Sequence, residues 1–275
     1  MEHGQTRVLI SVWKWCTLVG LLFVGNLSFC QSLEIGGFYG VSNYNGELQD
    51  TRFDPRQANP AYGIFTRINF SKDVAIRAQY FNSTISAHDT YSAGLSNTRN
   101  LSFRTPVQEV GVQLELSLIG FGGNKKAPLA KSYIFGGVSG MYFNPQAKYQ
   151  DQWVDLQPLG TEGQGMPGYQ EKYSRYAVVI PLGMGFKVNV AKTVSLGLEL
   201  GVRKTYTDYL DDVSSQYPDL EELERINPMA ANLSYREPEI TGSPGNPVGL
   251  ERGNPENKDL YFFAGFTASF YLVKY

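Results

Sequence analysis

The chain of 275 residues is short of several things that proteins use for chemistry. Its two cysteines, Cys16 and Cys30, both fall in the first 30 residues. Neither a disulfide framework nor a Cys-ligated metal site is therefore open to the rest of the chain. Past His3 the only histidine is His88. Its neighbours Ser86, Ala87, Asp89 and Thr90 are ordinary loop residues, and nothing local orients the imidazole as a general base. No catalytic residue, cofactor or metal ligand is expected, and the chain does not read as an enzyme. An excess of one charge is missing too: 24 Lys and Arg face 26 Asp and Glu. Without clustered basic residues to displace counterions from phosphates, a nucleic-acid partner is not expected. Beyond Gln31 there is also no long apolar run, which excludes a membrane-spanning helix there.

The apolar residues that are present are arranged in two ways. Arg7 and Lys14 precede an apolar run from Trp15 to Val24, and the small residues Ser28 and Cys30 stand just before Gln31. That is the tripartite pattern of an export signal, so residues 1–30 are read as a signal peptide and 31–275 as the mature domain. From there on, alternation with period two dominates, as in strands whose two faces meet different surroundings. The clearest run is Val194 to Thr207, with Val194, Leu196, Leu198, Leu200 and Val202 opposite Ser195, Gly197, Glu199, Gly201 and Arg203. Glu109 to Ile119 and Val178 to Val190 repeat it. Weaker versions span 33–42, 62–70, 74–84, 133–143 and 260–275, which makes eight strands.

The connections choose between a sandwich and a barrel. Links at 71–73, 120–132 and 191–193 are short, while those at 43–60, 85–100, 144–172 and 208–259 are long, and the two kinds alternate. The expectation is an all-β, transmembrane, antiparallel up-and-down barrel of eight strands with long extracellular loops and both ends in the periplasm. It would sit in the outer membrane of a Gram-negative bacterium, with lipid as its first partner. Two aromatic girdles are expected, with Phe70, Phe121, Phe186, Tyr271 and Tyr275 near the short turns. Tyr142, Phe143, Tyr176, Tyr206, Tyr261 and Phe262 would form the other near the long loops.

If the apolar faces meet lipid, Glu34, Arg67, Arg77, Glu109, Glu115, Lys187, Glu199 and Arg203 point into the lumen. Four acids and four bases in a barrel just wide enough for side chains are expected to pair rather than to line an ion path. The segment from Asp208 to Asp259 is strongly acidic and is read as a solvated loop with a short helix near Pro218 to Ile226.

Several stretches resemble the PorG-like outer-membrane barrels of Bacteroidota, which are associated with the type IX secretion system. They are Glu34 to Gly40, Ser42 to Leu48, Trp153 to Gly165 (with Trp153, Asp155, Gln157, Gly160, Glu162 and Gly163), Arg203 to Val213, and Arg252 to Pro255. The resemblance implies a non-catalytic barrel that anchors periplasmic secretion components, a lipoprotein and ring complex, to the outer membrane. On that reading Lys125, Lys126 and Lys131 in the turn from Gly120 to Ser132 are the candidate periplasmic contact. A surface receptor or adhesin acting through the long loops, or a small porin, are the competing expectations.

Overall fold

The computed structural model describes residues 32–49, 54–91, 99–124, 127–243 and 245–274. The expected signal segment 1–30 lies outside them, as do Lys125 and Lys126. Eight long strands form the wall: β1 Ser32–Asn45, β2 Asn59–Asn69, β3 Val74–His88, β4 Ser102–Asn124, β5 Ala127–Phe143, β8 Tyr176–Asn189, β9 Val194–Thr205 and β10 Leu260–Lys274. Each pairs antiparallel with its neighbours in chain order. Pairing of β1 with β10, from Ser32 opposite Lys274 to Asn45 opposite Leu260, closes the ring. A closed wall leaves none of its strands with an unpaired edge. Among the described residues no helix is long and apolar enough to cross a membrane.

Alternation along each strand decides what faces where. Ile64, Val110, Val138, Met184, Leu198 and Phe266, one from each of six strands, are 52% to 68% exposed on the outer wall. An apolar band of this extent around a whole molecule is a surface for lipid, not for water. The partner face of every strand is buried, and the core of the molecule is the barrel interior.

The sequence expectations needed four corrections. Gly120 to Ser132 is not a loop: β4 and β5 stay paired through it, with Gly120 opposite Lys131 and Gly123 opposite Pro128. β4 loses its partner β3 after Leu116, opposite Val74, so the hairpin runs on below the rim of the wall. The segment 144–172 holds an additional hairpin, β6 Gln146–Tyr149 with β7 Gln152–Asp155. The acidic segment is folded rather than solvated: the expected short helix is α1 Leu220–Ile226, and α2 Pro228–Ser234 and α3 Pro238–Thr241 follow it. Asp219 caps α1 by accepting from the Glu222 N–H, and Asn227 caps α2, so the breaker residues end these helices and start the next. Of the expected girdle residues, Phe143 and Tyr261 are fully buried and Tyr271 turns inward to Asn189. An aromatic ring near a rim is as useful beneath the cap as at a lipid interface.

Closure at the β1–β10 seam can be tested directly, because no cysteine follows Cys30. Tyr39→Cys with Phe266→Cys, opposite each other on the outer face, should form a cross-link on oxidation, read as a mobility shift on denaturing gels. Tyr39→Cys with Phe270→Cys, four residues out of register, should not.

Candidate functional site

The strand register fixes which side chains meet inside the wall. Glu34 on β1 lies opposite Arg67 on β2, and Arg67 lies opposite Arg77 on β3. Two like charges side by side require acids from across the lumen. Arg67 Nη1 meets Glu34 Oε2 at 2.9 Å, its Nε meets Glu115 Oε2 at 2.7 Å, and its Nη2 lies 3.9 Å from Glu199 Oε1. Arg77 Nη1 reaches Glu199 Oε1 at 2.6 Å and Glu115 Oε1 at 3.6 Å. Lys187 binds Glu34 at 2.9 Å from below, and Arg203 Nε donates to Glu109 Oε2 at 3.1 Å above. The structure thus brings all eight lumen charges into pairs, each residue no more than 5% exposed.

Hydroxyls and rings complete the filling. Tyr133 Oη donates to Glu199 Oε1 at 2.6 Å, Ser269 Oγ donates to Glu34, and Tyr261 Oη donates to Glu109. Phe65 packs under the guanidinium of Arg77 at 4.1 Å, and Phe263 under that of Arg203 at 4.1 Å. Phe38, Phe81 and Phe263 form a layer with ring centroids 5.7 to 5.9 Å apart. Aromatic faces carry negative charge density, so these rings also help hold the guanidinium groups.

Above the Arg203 level the long loops fold over the mouth. The β6–β7 hairpin hangs from β4 by Arg104 opposite Gln146, and Arg104 stacks over Trp153 at 3.9 Å. Asp155 accepts from Asn144 and Gln146, and Gln157 donates to the Tyr173 carbonyl. Gly160 and Gly163 have φ of +69° and +81°, a conformation that favours glycine, and together they turn the chain back on itself. That turn delivers Glu162, which accepts from the Ser214 N–H at 2.8 Å and pairs with Arg252 Nη1 at 2.9 Å. Arg252 also donates to the Asp212 carbonyl, and Asp212 accepts from Thr161 and Tyr173. Three sequence segments, 153–165, 206–213 and 252–255, therefore meet in one buried cap.

The cap is acidic as well as buried. Burial pushes the Asp208 carboxyl up to about 7, opposed by its Ser214 hydrogen bond. Asp212 rises to about 6 for the same reason, restrained by Arg252. Asp211 and Asp259 are raised well above the ordinary carboxylate range by burial, Asp211 also by the charges of Asp259 and Glu47, and Asp259 also by that of Glu47. Asp211, Asp212, Asp259 and Arg252 were missed as buried groups at the sequence level. Asp211, Asp212 and Arg252 lie in the segments that carry the family resemblance, and Asp259 had no signal of its own.

Over residues 14–235 the sequence matches the model of a domain of unknown function, DUF6089. The chain belongs to this family. No curated protein matches it. Solved structures with a similar course of chain include Neisserial surface protein A, 7% identical over 86% of this chain and 96% of that one, with a TM-score of 0.43. Ail of Yersinia pestis is 8% identical over 87% and 97% of the two chains, at 0.39. OprG of Pseudomonas aeruginosa is 9% identical over 88% and 97%, at 0.38. The barrel assignment for this family member rests on its own strand pairing.

Glu199→Gln keeps an acceptor for Tyr133 but leaves Arg77 short of charge. It should cost about 3–5 kcal/mol, the range for breaking a buried pair from one side. Urea unfolding of the protein folded into lipid vesicles measures it, and a second substitution, Arg77→Gln, should recover part of the loss.

Proposed function

We propose that this chain is a non-catalytic outer-membrane barrel of a Gram-negative bacterium that fixes periplasmic components of the type IX secretion apparatus, a lipoprotein and its ring complex, to the membrane. The lipid-facing wall supports the membrane position, and the single observation that carries the anchoring role is the β4–β5 hairpin. Below the last pair with β3, β4 continues from Leu118 to Asn124 with β5 beside it. Barrel closure alone needs only a two- or three-residue turn at this end. The other short connections are of that kind: Phe70 N–H donates to the Val74 carbonyl, and Val190 N–H to the Val194 carbonyl.

The ribbon carries what a docking element needs. Leu118, Ile119, Phe121 and Leu129 are 49% to 60% exposed on it, and Lys125 and Lys126, outside the described residues, come between its two strands in the sequence. Lys131 folds back and donates to the Lys72 carbonyl at 3.3 Å, so it belongs to the ribbon's base rather than its tip. Basic residues around an apolar ribbon suit an acidic partner surface, which they would steer and orient. The ion-filled lumen argues against a porin, because paired charges and rings occupy the path that ions would take. A receptor reading draws on a different feature, an external groove lined by Tyr169, Tyr217, Glu251 and Glu256.

Replacing residues 118–131 by a two-residue turn should leave a barrel that still assembles. Periplasmic lipoprotein and ring proteins should then no longer co-purify with it from gently solubilised membranes, and export of cargo should fall. Full co-purification and export with the shortened ribbon would overturn the anchoring reading. A separate exchange of Lys125, Lys126 and Lys131 for Glu should weaken the association in a salt-dependent way.

A further inference from the structure

One group of side chains in the cap is explained neither by the wall nor by cap packing. Glu47, in the β1–β2 connection, Asp211, and Asp259 at the head of β10 place one carboxylate oxygen each within 4.8 Å of one another. Asp211 and Asp259 are 2% and 1% exposed. Their outer oxygens are satisfied by backbone, Val213 N–H donating to Asp211 Oδ1 and Leu210 N–H to Asp259 Oδ2, both at 2.9 Å. Their inner oxygens share Tyr44, whose Oη lies 2.6 Å from Asp211 Oδ2 and 2.8 Å from Asp259 Oδ1. A phenol has one proton, so it can serve only one of these carboxylates at a time.

Glu47 is served less well. Both of its carboxylate oxygens are buried without a hydrogen-bond partner of good geometry, and only the nearby backbone N–H groups of Glu47 and Asn254 and the charge of Arg99 favour its ionised form. Asp208, 2% exposed and electrostatically coupled to Glu47, has a further buried oxygen without a donor: Ser214 Oγ holds its Oδ2, and nothing holds Oδ1. The surrounding bases are directed elsewhere. Arg99 donates to Asp89 and to the carbonyls of Arg252 and Glu47, and Lys258 donates to the Pro255 carbonyl. Arg252 is held by Glu162 and by the carbonyls of Asp212 and Ser234. Buried acceptors without donors are costly, and Arg99, already engaged by Asp89, is among the described residues the one cation acting on Glu47 and Asp211, which leaves the facing carboxylates with an excess of negative charge.

We propose that Glu47, Asp211 and Asp259 bind one divalent cation, calcium in preference to magnesium. The oxygens not held by backbone are both of Glu47, Oδ2 of Asp211 and Oδ1 of Asp259, a set of hard donors with no nitrogen or sulfur among them. Calcium takes about six to eight oxygens in irregular geometry and completes its shell with water. Magnesium demands a regular octahedron and keeps its own waters. Two positive charges offset most of the three negative ones, and Tyr44 then needs to serve only one acid. Gly46 makes room for this arrangement: a Cβ there would lie 2.0 Å from Tyr44 Oη and 2.5 Å from Asp259 Oδ1. The cation would tie three chain-distant parts of the cap, the β1–β2 connection, the 208–213 segment and the start of β10.

The test uses the full chain in detergent after treatment with a chelator. Titration calorimetry with calcium chloride should give one site per chain, half-saturated on the order of 0.1–1 mM as in extracellular modules. Calcium should also raise the melting temperature, and magnesium at equal concentration should do so less. Asp211→Asn with Asp259→Asn keeps the shapes and removes the repulsion, so it should fold without metal and lose both responses. Glu47→Gln, which removes a carboxylate without a hydrogen-bond partner of good geometry, should weaken binding by at least about tenfold. Glu221→Gln with Glu222→Gln on α1 should bind as the unaltered chain does. Absence of calcium binding by the unaltered chain, or binding unchanged in the double Asn variant and in Glu47→Gln, would overturn the proposal.

Discussion

Arg67 is the side chain on which the interior depends. Its guanidinium is buried at the centre of the lumen and meets carboxylates from β1, β4 and β9, so one cation from β2 ties together parts of the wall that are not neighbours. A charge buried this deeply is tolerated only because its partners converge on it. Those partners in turn impose Arg77 and Lys187, since three acids around one arginine would otherwise carry excess negative charge. The apolar wall follows from the same arrangement: with charge confined to the inward face of each strand, the outward face is left to meet lipid.

The cap repeats this logic above the rim with different chemistry. Arg252 plays there the part that Arg67 plays below, joining Glu162 of one loop to the Asp212 segment of another. The two halves also touch: Thr105 of β4 donates to the Leu210 carbonyl at 2.5 Å, and Tyr44 of β1 reaches Asp211 and Asp259. Their apolar surfaces form one continuous cluster from Phe38 and Phe81 up to Leu210 and Val213. The wall and its cap therefore behave as one packed body, and the feature that stands outside it is the β4–β5 ribbon at the opposite end.

Much of the wall was legible in the sequence because a period of two places every second residue on one face, and eight such runs joined by alternating short and long links admit few folds. The charges at Glu34, Arg67, Glu115 and Glu199 stood out as polar interruptions on otherwise featureless inner faces. What stayed hidden was long-range. Composition describes 208–259 as acidic and breaker-rich, which reads as solvated until Arg252 and Glu162, 90 residues apart in sequence, are seen to meet. The ribbon was misread because Gly120, Gly122 and Gly123 look like turn residues, whereas the true reversal lies beyond them. Phe143 and Tyr261 were assigned to a lipid interface because a strand end offers two places for an aromatic ring, and residue type alone does not choose between them.

The barrel is filled, by paired charge below and by folded loops above. Current through planar bilayers containing the purified protein tests this most directly. A filled barrel predicts a baseline without stable unit steps in 1 M salt over a wide range of voltage. Steady, ion-selective openings of porin size would contradict it.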